Sequence, residues 1–443
     1  RLACKAVTRE AVELAVPVQE QQGFSALAAE AADEGALSLA ADHDYGLAVD
    51  IGTTTLAAAL VDCTDGKILA TATAVNSQRS FGADVVSRIG AACHGKGKAL
   101  QKAVRRDLTR LTKQLLKDHP GTAARCRQMA IAANTTMFHL LMGWPCDGLG
   151  DWPFHPVSLG GKTYRAQEVL GPQTVLADAT VTLLPGMSTY VGADITAGIW
   201  QCGLASSDDV SLFVDLGTNG EMVLGNKDQR FIASAPAGPA LEGGKLTWGT
   251  GSVPGAICGV RIERGRAKVR TIDHAVPVGI CGTGILEAMA GLVREGLVDE
   301  TGKLVEPYFH KGFPLASTLD YQRITLSQQD IREIQMAKSA IRAGIESLIE
   351  RSGISRQRIH QVFLAGGFGY YLDPQKAAVI GLLPADLAER TTAVGNTSLK
   401  GAIGLLTGAV TLEELQAIAA GAEEIVLGND EAFQRLYIDY LNF

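Results

Sequence analysis

The sequence carries the same short acidic segment twice, each time directly after an apolar run that predicts a buried β-strand. The two copies are Val49-Asp50-Ile51-Gly52-Thr53-Thr54-Thr55 and Val214-Asp215-Leu216-Gly217-Thr218-Asn219-Gly220. In both copies a glycine permits a tight turn whose N–H groups can point into a cleft and bind an anion. One copy alone would be explained equally well by an ordinary hairpin turn. Two copies, each followed by a further strand, favour a duplicated phosphate-binding unit.

The residue types in these two hairpins predict a site for nucleotide phosphates and a magnesium ion. The glycine, hydroxyl and amide residues that we expect to contact phosphate are Gly52, Thr53, Thr54, Thr55, Gly217, Thr218 and Asn219. A carboxylate repels phosphate but suits Mg²⁺, which proteins often hold through coordinated water. We therefore assign Asp50 and Asp215 to the metal, by way of water molecules.

The apolar pattern alternates between strands and helices along the chain, which predicts an α/β fold. Strands are expected at Tyr45–Asp50, Thr55–Val61, Met129–Ala133 and Gln361–Leu364, a second strand-turn-strand at Val210–Leu224, and helices at Lys98–Lys117 and 328–351. The second helix carries a capping box at Ser327 and Asp330. Residues 145–185, rich in Pro, Gly and aromatic residues, are expected to form a peripheral insertion. Residues 19–44 contain few large apolar side chains and suit a linker.

Composition disfavours several classes of protein. The chain of 443 residues is long enough for two or three domains, and its net charge of −7 disfavours a nucleic-acid binder. No apolar run approaches the roughly 18 residues that a membrane span requires. The eight cysteines show no C-x-x-C pair and the eight histidines no H-x-x-x-H spacing, which favours free thiols and disfavours zinc. We therefore expect a cytoplasmic protein that binds neither nucleic acid nor a membrane.

The duplicated hairpin is similar to the arrangement in the actin-like, sugar-kinase and chaperone ATPase superfamily. In that superfamily two RNase H-like domains face each other across a cleft and bind the phosphates of a nucleotide between them. The resemblance implies an α/β fold with two duplicated actin-like ATPase domains, and it implies ATP and Mg²⁺ as ligands of the cleft.

Two further glycine-rich runs are expected to line the same cleft. Leu364-Ala365-Gly366-Gly367-Phe368-Gly369 resembles the superfamily's adenosine motif, and Ile280-Cys281-Gly282-Thr283-Gly284 is another turn from strand to helix. The nucleotide contacts taken from these runs are Gly282, Thr283, Gly366, Gly367 and Phe368. Lys338 and Arg342 lie one turn apart on the helix before the first run, so they are expected to flank adenine and ribose. A solvated helix face is the alternative for both.

Several other runs narrow the resemblance to the ATP-dependent reductive activators of corrinoid proteins. They follow the family's order across residues 45–430 and comprise Ala133-Asn134-Thr135-Thr136-Met137, Tyr190-Val191-Gly192-Ala193-Asp194-Ile195, Pro236-Ala237-Gly238-Pro239-Ala240-Leu241-Glu242-Gly243, Ala365–Pro374 with Ile380–Pro384, and Gly395-Asn396 with Gly401-Ala402. Members of this family use ATP to return an oxidised Co(II) corrinoid to the Co(I) state, and the resemblance implies that activity here. A small-molecule kinase of the same fold is the alternative, and a filament-forming or assembly protein is a third interpretation.

The resemblance also implies a partner. It is the corrinoid protein of a methyltransferase system, either a corrinoid iron–sulfur protein or the corrinoid subunit of an O-demethylase or a methylamine methyltransferase. Hydrolysis of ATP needs an oriented water molecule as well as metal and phosphate donors. The residues that we expect to position this water are Asp215, Asn134, Asp194 and Glu242, and spacing in the sequence does not rank them.

The resemblance implies a domain order as well. Residues 1–18 would be the C-terminal remnant of a [2Fe–2S] ferredoxin domain, residues 19–44 a linker, residues 45–207 the first actin-like domain and residues 208–443 the second. Cys4 resembles the fourth ligand of a plant-type cluster, whose other three cysteines occur together in a C-x₄-C-x₂-C run. The cluster would belong only to a full-length protein, where an external reduced donor would supply its electrons. A homodimer is also implied.

Overall fold

The structure of the protein is a computed structural model that describes residues 43–119, 121–366, 372–428 and 430–443. The sequence predictions that lie outside these residues are the ferredoxin remnant with Cys4, the linker up to residue 42, Gly367 and Phe368. None of the helices in the described part of the chain is long and apolar enough to span a membrane. Every cysteine among the described residues is a free thiol, as the sequence predicts.

The described residues form seventeen β-strands and thirteen α-helices. The strands are β1 Tyr45–Ile51, β2 Thr55–Asp62, β3 Ile68–Val75, β4 Cys126–Ala133, β5 Lys162–Arg165, β6 Thr180–Leu183, β7 Val210–Leu216, β8 Gly220–Gly225, β9 Arg230–Ala235, β10 Ala256–Glu263, β11 Arg266–Thr271, β12 Gly279–Ile280, β13 Phe313–Ser317, β14 Arg323–Leu326, β15 Ile359–Ala365, β16 Thr391–Gly395 and β17 Ala422–Glu424. The helices are α1 Val85–Ala91, α2 Gly97–Asp118, α3 Thr135–Met142, α4 Asp147–Gly150, α5 Ala166–Leu170, α6 Ala193–Gln201, α7 Gly282–Arg294, α8 Tyr308–Lys311, α9 Gln328–Ser352, α10 Pro374–Val379, α11 Thr397–Leu406, α12 Leu412–Ala420 and α13 Glu431–Asp439.

The elements around the two hairpins agree with the sequence predictions at their boundaries to within three residues. The predicted capping box is present at the start of α9, where the side chain of Ser327 accepts from the Asp330 N–H and Asp330 accepts from the Ser327 N–H. Both agreements concern local structure, because the residues whose pattern predicts a helix or strand are the same residues that form it.

Two six-stranded sheets form the framework, and five strands of each share one topology. The strand order is β3-β2-β1-β4-β6-β5 in the first sheet and β16-β15-β7-β8-β9-β17 in the second. In each sheet the first three strands along the chain pair antiparallel to one another, and two later strands are added in parallel on the other side of the first strand. Thus β1 pairs with β4 in the first sheet, as β7 pairs with β15 in the second. The duplication that is visible in the hairpin segments therefore extends to whole sheets.

This topology places the two hairpin acids at equivalent positions. Asp50 is the next-to-last residue of β1 and lies beside Ala132 of the parallel strand β4. Asp215 is the next-to-last residue of β7 and lies beside Ala365 of the parallel strand β15. The carboxyl ends of parallel strands are where α/β folds bind their ligands. Both acids therefore occur where a ligand of this fold would be bound.

Two helices from the last part of the chain pack in the core of the first sheet. Strand β16 is at the edge of the second sheet and ends at Gly395, and α11 begins two residues later. Leu399 and Ala402 of α11 then belong to the same buried cluster as Val49 of β1. The chain thus crosses from the second sheet to the first core over residues 395–398, which we call the crossover. The predicted division at residue 208 separates the two sheets, whereas α11 and α12 lie in the first core.

The segment 145–185 is only partly peripheral, which corrects the expectation from the sequence. It contains β5 and β6, and β6 pairs with β4 in parallel as an integral strand of the first sheet. Val181 and Leu183 of β6 are fully buried. The prediction was wrong here because β6 has only four residues, too few to show a strand pattern between neighbouring glycines and prolines.

Candidate functional site

The two acidic hairpins face each other across a cleft between the sheets. The hydroxyl oxygens of Thr54 in the first hairpin and Thr218 in the second lie 3.3 Å apart. Both hydroxyls lie within hydrogen-bonding distance of Oε2 of Glu242, at 3.2 Å for Thr54 and 2.6 Å for Thr218. Glu242 therefore accepts from both halves of the chain and links the two hairpins directly.

Each hairpin is a tight turn that its own glycine closes. The Gly52 N–H donates to the carbonyl oxygen of Thr55, and the Gly217 N–H donates to that of Asn219, each at 3.0 Å. A Cβ at position 52 would lie 2.6 Å from the Thr55 carbonyl oxygen, so that only glycine fits there. Both turns line the cleft. The N–H groups of Gly52 and Gly217 are already used within the turns, and binding of phosphate by the other N–H groups of the turns stays a prediction.

Carboxylates from five positions line the cleft: Asp50, Asp194, Asp215, Glu221 and Glu242. Desolvation raises the pKa of each of them above its ordinary value. The pKa of Asp194 rises to about 7, through desolvation and then through the charge of Asp50. Neighbouring charges also raise the pKa of Asp215 and Glu221. The groups of the cleft therefore do not fully compensate the negative charge that these five carboxylates carry when they are ionised.

This donor set fits a magnesium ion that is held mainly through water. Hard cations prefer oxygen ligands, and a divalent charge would relieve the repulsion among the carboxylates. No three of these five carboxylates bring their oxygens within 4.8 Å of one another. An ion here would contact one or two carboxylates directly and the others through its water shell, as Mg²⁺ commonly does in phosphate sites. The assignment of Asp50 and Asp215 to the metal is compatible with this spacing and stays a prediction.

A buried arginine donates a hydrogen bond to the backbone of the first hairpin. Arg88 is fully buried and donates to the carbonyl oxygens of Thr53 at 2.6 Å and Gly82 at 2.9 Å. Burial lowers the pKa of the Arg88 guanidinium to about 10, a value at which it remains charged at neutral pH. Its charge opposes the effect of desolvation on the pKa of Glu242. Arg88 thus fixes the backbone of the hairpin and offsets part of the negative charge of the cleft.

Replacing Arg88 by methionine is expected to weaken nucleotide binding about tenfold and to lower the free energy of unfolding by about 1–3 kcal/mol. The change leaves the carbonyl oxygen of Thr53 without its donor and loosens the first hairpin. Nucleotide titration and thermal unfolding measure the two effects. Arg230→Met is the matched control, because Arg230 is also buried and donates to the carbonyl oxygens of Asn226 and Lys227, away from the cleft. Equal nucleotide affinity in the two variants would contradict the role of Arg88.

Most of the residues singled out from the sequence come together in this cleft. Those that line it are Asp50, Gly52, Thr53, Thr54, Thr55, Asn134, Asp194, Asp215, Gly217, Thr218, Asn219, Glu242, Gly282 and Gly366. Asn134, the N-cap of α3, donates from Nδ2 to Oγ1 of Thr53 at 3.1 Å. Thr283 is buried in the first turn of α7, with its hydroxyl 3.7 Å from Sγ of Cys281, and does not line the cleft. The functional roles of these residues stay predictions.

Lys338 and Arg342 do not line the cleft, because the C-terminal segment packs on the face of α9 that carries them. The ammonium of Lys338 donates to the carbonyl oxygen of Asn442 and lies 5.0 Å from the ring centre of Phe443. The guanidinium of Arg342 lies 4.5 Å from the ring centre of Tyr440. Contact of either cation with adenine or ribose would require these interactions to be exchanged, and their assignment to the nucleoside stays a prediction.

The cleft also contains side chains that the sequence analysis did not select. Glu221 did carry a signal, because the hairpin register places it directly opposite Asp215 on the neighbouring strand. No sequence signal placed Asn396 and Ser398 in the cleft, because they lie there only as a result of the path of the crossover. The loop 250–252 also lines the cleft. Tertiary structure, rather than local pattern, brings these last two groups to the site.

Comparison with protein families assigns both halves of the described chain. Residues 45–207 match the RACo middle region. Residues 209–443 match the C-terminal domain of RACo, which is described as the ASKHA domain. ASKHA denotes the superfamily of actin-like proteins, sugar kinases and chaperone ATPases, and the fold predicted from the two hairpins is therefore confirmed.

Individual relatives agree with this assignment. The chain is 32% identical over 415 residues to the corrinoid activation enzyme RamQ of Eubacterium limosum, covering 89% of this chain and 69% of the relative. It is 28% identical over 311 residues to a Co(II) methylated amine-specific corrinoid protein reductase of Methanosarcina barkeri, covering 65% of this chain and 56% of the relative. A solved reductive activator for a corrinoid, iron-sulfur protein superposes with a TM-score of 0.85 at 34% identity, over 91% of this chain and 67% of that one.

Proposed function

The chain belongs to the RACo family of reductive activators of corrinoid proteins, and we propose that it couples ATP in the cleft to reduction of a partner's Co(II) corrinoid to Co(I). The observation that carries the proposal is the approach of the two hairpins, whose residues Thr54 and Thr218 lie 3.3 Å apart and share Glu242. A triphosphate held between the hairpins would contact both sheets at once. Similarity to corrinoid activators favours this function over the small-molecule kinase that the fold alone left open.

The energetics of the cobalt couple explain why ATP is needed. Reduction of Co(II) to Co(I) is uphill, and each 59 mV of mismatch in a one-electron step costs about 1.4 kcal/mol. One electron passes from the reduced donor to Co(II), while ATP and water are converted to ADP and phosphate. Because these are separate reactions, the free energy of ATP must enter through conformation. We propose that closure around the nucleotide changes the contact with the corrinoid protein, so that electron transfer or release of the reduced partner becomes favourable.

Hydrolysis requires the cleft to bind the phosphates and to orient one water molecule. In our proposal the hairpin N–H groups and hydroxyls bind the phosphate oxygens, and bound magnesium neutralises part of their charge. Asn134 and Glu242 are already engaged by the hairpin threonines. This engagement favours Asp215 or Asp194 as the residue that orients the attacking water.

The electron source and the partner are further parts of the proposal. We propose that electrons come from a [2Fe–2S] cluster in a ferredoxin-like domain that includes Cys4, and that an external reduced donor supplies this cluster. The resemblance of Cys4 to a fourth cluster ligand supports this point. The names of the relatives support a corrinoid protein as the partner. We also propose that the protein acts as a homodimer in the cytoplasm, as the family resemblance implies.

Anaerobic absorption spectroscopy on the full-length protein tests the function. A reduced donor, a Co(II) corrinoid protein and Mg-ATP should together produce Co(I), and omission of ATP should prevent its formation. A non-hydrolysable analogue then shows whether binding alone is sufficient. Transfer of phosphate to a small molecule without any reduction of cobalt would contradict the proposal.

Magnesium ions are expected to stabilise the folded protein more at about pH 8 than at about pH 5.5. Desolvation raises the pKa of Asp194 to about 7 and that of Asp215 and Glu221 well above their ordinary values. The folded protein therefore binds more protons than the unfolded chain between about pH 4 and about pH 7, and without metal its stability falls as the pH rises through this range. A cation that replaces these protons restores stability. Thermal unfolding with and without MgCl₂ checks this, and an equal magnesium effect at both pH values would contradict it.

A further inference from the structure

Both carboxylate oxygens of Asp50 accept hydrogen bonds from residues at the crossover. Asn396 donates from Nδ2 to Oδ2 of Asp50 at 2.8 Å, and Ser398 donates from Oγ to Oδ1 at 2.8 Å. Asp50 belongs to the first sheet, whereas Asn396 directly follows β16 of the second sheet. The acid of the first hairpin is therefore held by a segment that runs from the second sheet into the core of the first.

The local structure of the crossover fixes both donors. Asn396 is the N-cap of α11, and its Oδ1 accepts from the N–H of Leu399 at 2.8 Å. The amide cannot rotate without breaking this cap, so its Nδ2 stays directed at Asp50. Ser398 is 5% exposed, which leaves its hydroxyl little access to water as an alternative partner. The two hydrogen bonds use one lone pair on each oxygen of Asp50 and leave the others available in the cleft.

Within the part of the chain that the structure describes, the second hairpin acid has no equivalent support. Asp215 occupies in β7 the position that Asp50 occupies in β1. Among the residues that the structure describes, no side chain donates a hydrogen bond to the carboxylate of Asp215. Within the described residues the two acids therefore differ in their hydrogen bonds although the sheets around them have the same topology: two side chains donate to Asp50, and none donates to Asp215.

We propose that Asn396 and Ser398 are positioning residues that hold Asp50 in the orientation in which it binds the water shell of magnesium. The inference rests on the proposed function of the cleft as a site for Mg-ATP. It assigns different roles to the two hairpin acids. Asp50 is the fixed contact of the water shell of the metal, and Asp215 is the acid that orients the attacking water. Because the donors lie on the crossover, movement of one sheet relative to the other would act directly on Asp50.

The residue between these two donors provides a matched control. Thr397 is 1% exposed and lies in the same turn, and its hydroxyl has no hydrogen-bond partner in the described part of the chain. Thr397→Val therefore removes a buried hydroxyl from the start of α11 without touching Asp50. Any general effect of altering this turn should appear in Thr397→Val as well as in a variant of Ser398.

The test measures the magnesium dependence of two properties of the purified protein. One is the rise in the thermal unfolding midpoint on titration with MgCl₂, and the other is the rate of ATP hydrolysis at saturating ATP. Ser398→Ala should raise the half-saturating magnesium concentration about tenfold in both titrations, as loss of a residue that orients a metal ligand does elsewhere. Ser398→Thr retains the hydroxyl and should restore the wild-type value. Asn396→Ser keeps a helix cap but is too short to reach Asp50, and should act like Ser398→Ala.

The possible outcomes separate this inference from the proposed function. If wild-type protein hydrolyses ATP and Ser398→Ala shows the same magnesium dependence as Thr397→Val, the positioning role is wrong and the function stands. If the protein hydrolyses no ATP but magnesium stabilises it, with the expected shift in Ser398→Ala, the positioning role stands and the function is wrong. If magnesium has no effect on the stability or the activity of the wild-type protein, both are wrong.

Discussion

Replacing Asp215 by asparagine should lower the rate of ATP hydrolysis by about 10²–10³-fold while the protein remains folded. The substitution keeps the size of the side chain at the end of β7 but removes its charge and its ability to accept a proton. Desolvation and the charges of Asp194, Asp50 and Glu242 raise the pKa of Asp215. Loss of its charge therefore relieves repulsion, and the free energy of unfolding should stay the same or rise. The expected result separates a loss of chemistry from a loss of fold.

Turnover at saturating Mg-ATP and the thermal unfolding midpoint measure these two effects. Asp209→Asn is the matched control, because it makes the same chemical change one residue before β7 on a side chain that is 66% exposed. We expect wild-type turnover in the control. Full turnover in Asp215→Asn, or an equal loss in Asp209→Asn, would refute the assignment of Asp215 to the reaction.

The part of the site that the sequence predicts is the part that local structure builds. In each hairpin a strand, a glycine turn and a second strand follow one another without interruption, and hydrophobic pattern and turn chemistry determine all three. Asp50 and Asp215 could therefore be assigned to equivalent positions from the sequence alone. The expectation that the two hairpins face each other came from the resemblance to a family. The structure adds the distance of 3.3 Å between the hydroxyl oxygens of Thr54 and Thr218.

The parts that could not be predicted depend on segments distant in the sequence. Lys338 and Arg342 do share a face of α9, as their spacing predicts, and periodicity says nothing about what covers that face. Here the C-terminal residues Tyr440, Asn442 and Phe443 contact the two cations. The spacing left two possibilities open for this face of α9, contact with a ligand and exposure to solvent. Neither occurs in this structure, because long-range packing covers the face with the C-terminal residues.

The crossover is the second example of a feature that lies beyond local pattern. The glycine and asparagine at its start mark the end of a strand and the cap of a helix, which is a local interpretation. Only the packing of α11 in the first core brings Asn396 and Ser398 within 2.8 Å of Asp50. A duplicated fold whose halves look equivalent in sequence thereby acquires two acids with different hydrogen bonds among the described residues, and this difference is the basis of the separate roles that we propose for them.

Replacing Gly366 by alanine should lower ATP turnover by about 10²-fold through displacement of Asp215. Gly366 has a φ of +110°, which residues with a side chain rarely adopt. A Cβ there would lie 2.4 Å from the carbonyl oxygen of Leu216 and 3.0 Å from Oδ1 of Asp215. The added methyl group must therefore push the second hairpin away from the end of β15. A shift of about 1 Å at a reacting group costs about 10²-fold in rate, and the backbone strain should lower the free energy of unfolding by about 1–3 kcal/mol.

Gly353→Ala is the matched control for the strain alone. Gly353 ends α9 with a φ of +66°, and a Cβ at this position would meet nothing within 4 Å. Alanine there should lower the free energy of unfolding by about 1 kcal/mol and leave turnover unchanged. Steady-state kinetics and thermal unfolding of both variants distinguish the causes. If the two variants lost turnover equally, strain would explain the effect without Asp215, and wild-type turnover in Gly366→Ala would show that the close approach of these strands does not position the acid.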